Sequence, residues 1–346
     1  MLRYSEASAC SVGSQILRGV PLGMTVLALI ALVGRATAAD ESLRPIATIP
    51  LDRVEGRFDH FAIDRAGKRI FVAALGNNSV EVIDLATNKV VHHLTGMNEP
   101  QGVAFVSDTK TLVVASGGDG KVRFYDGDTF ALKSTTDDLD DADNVRTDGK
   151  SVYVGYGSGA IAVFDGEKLI DRIKLSGHPE SFQLQAKGER IFVNVPSAKR
   201  IEVIDRTKKS VIANWPITGA EANFPMVLDE PNHRLLIACR KPARLVVYDT
   251  DSGKLVAATE ICGDADDLWL DSVAHRICIT GGEGFISVID QKDADHYAAV
   301  AKIPTAAGAR TSFFDRETRR LYVAVPHRDE QRPEIRVFEP LQERKS

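Results

Sequence analysis

Cysteine is scarce in this chain, with four in 346 residues, so no disulfide framework holds it together. Cys10 lies in a leader-like segment, and the remaining Cys239, Cys262 and Cys278 are an odd set that cannot all pair. Cys239 and Cys278 fall within apolar, strand-like runs, where cysteine serves as a small buried hydrophobe, while one bridge through Cys262 stays open. There is no Cys-x-x-Cys-His for haem and no Gly-x-Ser-x-Gly elbow, so covalent nucleophilic catalysis has no visible actor. No basic patch accompanies the net charge of −5, which argues against nucleic acid as a partner. The paired glycines of "SGGDG" and "TGGEG" stand in hairpin turns and not between a strand and a helix, which excludes a phosphate-cradling loop. His92 and His93 are adjacent on one strand and point to opposite faces, so they cannot share a metal ion. The only tryptophans, Trp215 and Trp269, sit in strand patterns and are expected to pack between layers.

Long apolar runs are missing too. The longest, "VPLGMTVLALIALV" at residues 20–33, is too short to span a bilayer but suits the core of a signal peptide. Arg3 and Arg18 precede it, and Ala36-Thr37-Ala38 provides the small residues at −3 and −1 that a signal peptidase requires. Residues 1–38 are therefore expected to be a signal peptide, an uncleaved anchor being the alternative, with the mature protein periplasmic or secreted. Cleavage removes three basic residues and one acid, taking the net charge to −7. No stable membrane span would remain.

What the chain does have is repetition. "RIFVAALGNNSVEVIDLATNKVV" at residues 69–91 is an apolar run, a Gly-Asn-Asn-Ser turn, an alternating strand ending in Ile-Asp, and a second turn. The acid that ends this strand recurs as Asp84, Asp126, Asp165, Asp205, Asp249, Asp290 and Glu339, at spacings of 42, 39, 40, 44, 41 and 49. A period near 42 without helical stretches predicts an all-β, seven-bladed β-propeller of four-stranded blades, one domain over residues 39–346. Glycine, asparagine and aspartate fill the turns because they tolerate the positive φ of tight hairpins. The six recurring aspartates are expected to cap their turns by accepting backbone N–H groups. The last repeat stops at its third strand, "EIRVFEP", while the orphan strand "IATIP" at residues 46–50 matches "VAKIP" at residues 300–304. The N-terminal strand is thus expected to complete the last blade and leave no open edge.

"EPQGVAFVSDTKTLVVAS" at residues 99–116 and "GKRIFVAALGNNSVEVIDLATNKVV" with its echoes resemble the YVTN-type β-propeller repeat of exported bacterial proteins. The resemblance covers essentially the whole mature chain and implies the fold. Propellers of related pattern include lactonases, a streptogramin lyase, subunits of amine-oxidising enzymes and surface-layer proteins. The stretch from Asp137 to Asp143 and the insertion "PHRDEQRPE" at residues 326–334 depart from the tidiest repeats.

In a propeller the links from outer to next inner strand converge on the central channel. The residues just before each inner strand align as Asp59, Gln101, Asp141, Glu180, Phe224, Asp266 and Arg310, followed by His60, Gly102, Ala142, Ser181, Pro225, Asp267 and Thr311. Nearby stand Glu99, Asp143, Asn144, His178, Glu221, Asn223 and Asp264. Channel mouths are wet, which by itself accounts for polar residues. The sharper expectation is a ligand site of Asp59, His60, Gln101, Asn144, His178, Glu180, Asn223, Asp266 and Arg310. Carboxylates and amides from separate blades, here Glu180, Asp266 and Asn144, suit one divalent cation, Ca²⁺ by oxygen donors at about 2.3–2.6 Å. A histidine from His60 or His178 would favour Zn²⁺.

Three functions compete on these grounds. One is an exported, monomeric binding module offering a polar, acidic funnel to a small molecule, a cation or a protein partner. Another is a metal-dependent hydrolase or lactonase, in which a channel cation polarises an ester carbonyl; resemblance to gluconolactonase-type propellers implies such parts for Glu180, Asn144 and Asp266. The third is an accessory subunit of a periplasmic dehydrogenase.

Overall fold

A computed structural model describes residues 42–341, so the expected signal peptide lies outside the described residues. Seven four-stranded antiparallel sheets form the blades of a propeller. Blade 1 runs from inner strand Phe61–Asp64 through Arg69–Ala74 and Ser79–Asp84 to outer strand Lys89–Leu94. The inner strands of blades 2 to 7 are Pro100–Val106, Val145–Thr147, Ser181–Leu184, Glu221–Asp229, Ala265–Asp271 and Ser312–Asp315. Blade 7 takes its outer strand from the other end of the chain. Leu43–Pro50 pairs antiparallel with Glu334–Pro340, Ile49 facing Ile335, and so closes the ring. The closing strand begins three residues earlier than the alternating pattern suggested. Among the described residues there is no α-helix, and no helix long and apolar enough to cross a membrane.

The middle strands of each blade are apolar at successive positions because both of their faces are buried. In Arg69–Ala74, Ile70, Val72 and Ala74 pack toward blade 7, while Phe71 and Ala73 pack toward blade 2. Seven apolar clusters arise in this way, one in each gap between neighbouring blades. Trp215 joins the gap between blades 4 and 5 against Phe192, and Trp269 the gap between blades 6 and 7 against Phe313, each pair of rings 5.6 Å apart. Outer strands such as Ser210–Pro216 bury one edge only and alternate in exposure. Cys239, Cys262 and Cys278 are all buried and free.

The recurring aspartates divide into three groups. Asp84, Asp126, Asp205 and Asp249 accept backbone N–H groups two and three residues ahead, as at Asp249, where Ser252 N stands at 2.8 Å. Asp165 is not such a cap, because its hairpin closes through only Gly166 and Glu167 before Lys168 pairs back to it. Asp290 pairs instead with Arg276 and Lys292, each at 2.9 Å. Its strand runs on to Gln291, and the capping role passes to Asp293, which accepts from Asp295 N and His296 N.

Candidate functional site

The links entering the inner strands converge on a central funnel of about 570 Å³. Strand register assigns the equivalents: Phe61 faces Val72 as Val145 faces Val154 and Leu268 faces Ile279. Two residues upstream stand Asp59, Gln101, Asp143, Glu180, Phe224, Asp266 and Arg310, all lining the funnel. The sequence alignment had placed Asp141 in blade 3, two positions early. Five acids crowd residues 137–143, so polarity alone offers no register there. The anchors are the buried Leu139 and Ala142, which pack between blades 2 and 3. Asp141 still borders the funnel, with a carboxylate oxygen 3.4 Å from His178 Nδ1.

On the funnel wall His60 stands between two acids. Its Nε2 lies 3.6 Å from Asp59 Oδ1 and 3.4 Å from Asp143 Oδ1. The other oxygen of Asp59 faces Arg57 Nη2 at 3.6 Å. Asp267, the next residue of this rim from blade 6, accepts the backbone N–H of Ser312 at 2.6 Å. Burial works against a charge on His60, yet Asp143, Asp59 and Asp267 together raise it to about 9. Burial also raises the acids: Asp59 to about 7, opposed by His60 and reinforced by Asp143, and Asp267 to about 8. Glu180 is lifted to about 7, by burial first and then by Asp143.

The acid beside Asp267 is internally paired. Asp266 receives Arg310 Nε on one oxygen at 2.9 Å and Arg240 on the other. Arg240 stacks 3.7 Å above the ring of Phe224 and donates to Ala265 O at 2.8 Å, while Arg310 Nη1 reaches Asp264 at 3.1 Å. Arg310 and Arg240 thus compensate Asp266, and Arg310 also Asp264. Arg240 went unrecognised because it lies near the end of a second strand, Arg234–Lys241, which an alignment of inner-strand entries does not sample.

Among the residues expected to form the site, Asp59, His60, Gln101, Asn144, His178, Glu180, Asp266 and Arg310 all border the funnel. Asn144 is almost fully buried and donates its amide to Glu180 O across the gap to blade 4. Asn223 lies off the funnel wall, fully buried, donating to Asn194 Oδ1 at 2.9 Å and holding blades 4 and 5 together. Asp143 is the acid that sequence reasoning placed only nearby. Among the described residues, Asp59, His60 and Asp143 form a group of three His, Cys, Asp or Glu side chains whose donor atoms all lie within 4.8 Å of one another.

No family model matches the chain, and no curated protein does. Among solved structures 1717 chains match, a breadth that identifies a fold and nothing narrower. A chain of hydrazine synthase from Kuenenia stuttgartiensis is 17% identical, with a TM-score of 0.68 over 78% of this chain and 94% of that one. A chain of the mitotic checkpoint complex is 13% identical, with a TM-score of 0.74 over 94% of this chain and all of that one.

Proposed function

We propose that the protein is an exported binding module whose funnel receives a small, polar ligand carrying positive charge, such as an amine. The YVTN-like repeat and the signal-peptide pattern of residues 1–38 support export, and N-terminal sequencing of mature protein would then begin at Ala39 or Asp40. The carrying observation is His60. Its Nε2 stands between Asp59 at 3.6 Å and Asp143 at 3.4 Å, and these acids with Asp267 hold the imidazole charged, raised to about 9, against the cost of its burial. The acids around it, Asp59, Asp143, Asp267 and Glu180, offer acceptors for the N–H groups of such a ligand, and seven blades supply polar groups to orient it. Arg240 and Arg310, paired to Asp266 on the same funnel wall, supply donors for a hydroxyl or carbonyl of the same molecule.

The test is a thermal-shift comparison of 1,4-diaminobutane with succinate, at equal concentration and ionic strength. Stabilisation by the diamine, absent with succinate and lost in an Asp59→Asn/Glu180→Gln double variant, is the expected result. Equal shifts with both compounds, or a shift that survives the double substitution, would sink the reading.

A further inference from the structure

The Asp59, His60 and Asp143 cluster has the geometry of a metal site as well as of an ion-paired histidine. Tetrahedral coordination with metal–ligand bonds of about 2.0–2.1 Å sets ligand–ligand edges at about 3.3–3.4 Å. His60 Nε2 stands 3.4 Å from Asp143 Oδ1 and 3.6 Å from Asp59 Oδ1, and all three donor atoms lie within 4.8 Å of one another. These separations are longer than a good N–H···O bond, so imidazole and carboxylates converge without closing on each other.

A second observation concerns Asp143. It is 8% exposed, and its Oδ1 faces His60 Nε2 at 3.4 Å with no well-formed hydrogen bond from any other group. A buried carboxylate oxygen whose one partner stands at 3.4 Å is poorly satisfied, and a bound cation between the two would satisfy it. The side-chain oxygen Oδ1 of the adjoining Asn144, 1% exposed, is likewise without a donor. Asp59 meanwhile commits Oδ2 to Arg57 and leaves Oδ1 for the cluster.

We propose that Asp59, His60 and Asp143 bind one divalent transition-metal ion of the zinc type, with its remaining coordination position open to the funnel. The donor set selects the ion. Ca²⁺ seeks six to eight oxygens and Mg²⁺ an octahedron rich in water, whereas one imidazole with two carboxylates suits Zn²⁺. The three ligands come from blades 1 and 3, so no short sequence motif could announce them. This inference rests on the funnel being the binding site and adds to it a coordination position for a neutral donor atom of the ligand, such as a hydroxyl or carbonyl oxygen.

Calorimetric titration of Zn²⁺ into chelator-treated mature protein tests it. One equivalent per chain is expected, weakened roughly tenfold or more by Asp143→Asn and further by His60→Gln. His296→Gln, which removes an exposed His296–Asp293 pair at 2.8 Å, should leave binding unchanged. Because His60→Gln could unfold the protein, Co²⁺ added to the wild type provides a second readout: intense visible bands of a four-coordinate ion are expected. Loss of binding in the His296 variant alone, weak octahedral bands, or no zinc uptake overturns the site. If zinc fails while 1,4-diaminobutane still stabilises the wild type, the metal site falls and the funnel reading stands. If zinc binds the triad and the diamine does not, the reverse holds.

Discussion

Asp249 gathers Ser252 N, Asp251 N and the Ser252 hydroxyl on one carboxylate oxygen, and gives the other to Arg234 at 2.7 Å. Replacing it by alanine removes acceptors from a turn whose N–H groups must then turn to water. By analogy with lost helix caps, Asp249→Ala should cost about 1 kcal/mol. Asp165→Ala, at a hairpin too short to need a cap, should cost clearly less, and chemical denaturation of the two variants side by side checks the ranking. An equal loss at both positions would return Asp165 to the capping set. The residue scale is also where sequence reading was least complete. Recurrence marked seven acids as equivalent, but the blade 6 hairpin pairs on through Gln291 and Lys292 and moves the cap three residues along to Asp293, and strand length is not written in the recurrence. The same limit hid Asp143 within a run of acids and Arg240 on a strand whose apolar neighbours, Ile237 to Cys239, advertise packing and not a ligand.

At the scale of strands the sequence was far more legible, because two requirements coincide there. A strand buried on both faces must be apolar throughout, and an outer strand must alternate, so each blade announces its order of strands. The orphan strand could be assigned because an incomplete last blade leaves unpaired N–H and C=O groups along Glu334–Pro340. Leu43–Pro50 satisfies them and buries Leu43 and Ile49, the latter with no exposure at all. Full burial of two such side chains contributes about 3–6 kcal/mol before any ladder hydrogen bond is counted. Deleting residues 43–50 should therefore lower the melting temperature sharply and promote self-association through the bared edge of blade 7. Unchanged melting with a monomeric elution profile would mean that the seven-bladed ring does not depend on this closure.

Across the whole molecule, burial at the channel sets two pH responses of opposite sign. Asp267 is held at about 8 against a usual value near 4, so the folded state retains a proton that the unfolded chain releases. Its contribution to stability is then lost progressively as pH rises from about 4 to 8, and Asp59 and Glu180, each at about 7, act in the same sense. His60, raised to about 9, stabilises fully below its usual value near 6.5, and that part is lost as pH climbs through 9. Turn acids such as Asp249, held below the usual carboxylate range by Ser252 and the turn amides, lose their contribution only as the solution becomes strongly acidic. The melting temperature should accordingly peak near pH 5 and decline toward pH 9. Asp267→Asn, which keeps an oxygen for Ser312 N–H but cannot ionise, should flatten that decline by an amount on the order of a few kcal/mol. Affinity for a cationic probe such as 1,4-diaminobutane should move the other way, rising between pH 6 and 8 as Asp59, Glu180 and Asp267 lose their protons. Melting curves and titrations over the same pH series measure both. A stability profile flat from pH 5 to 9, or one left unaltered by Asp267→Asn, would mean that the channel acids are more solvated than their burial implies, and the field credited to them at His60 would have to be smaller.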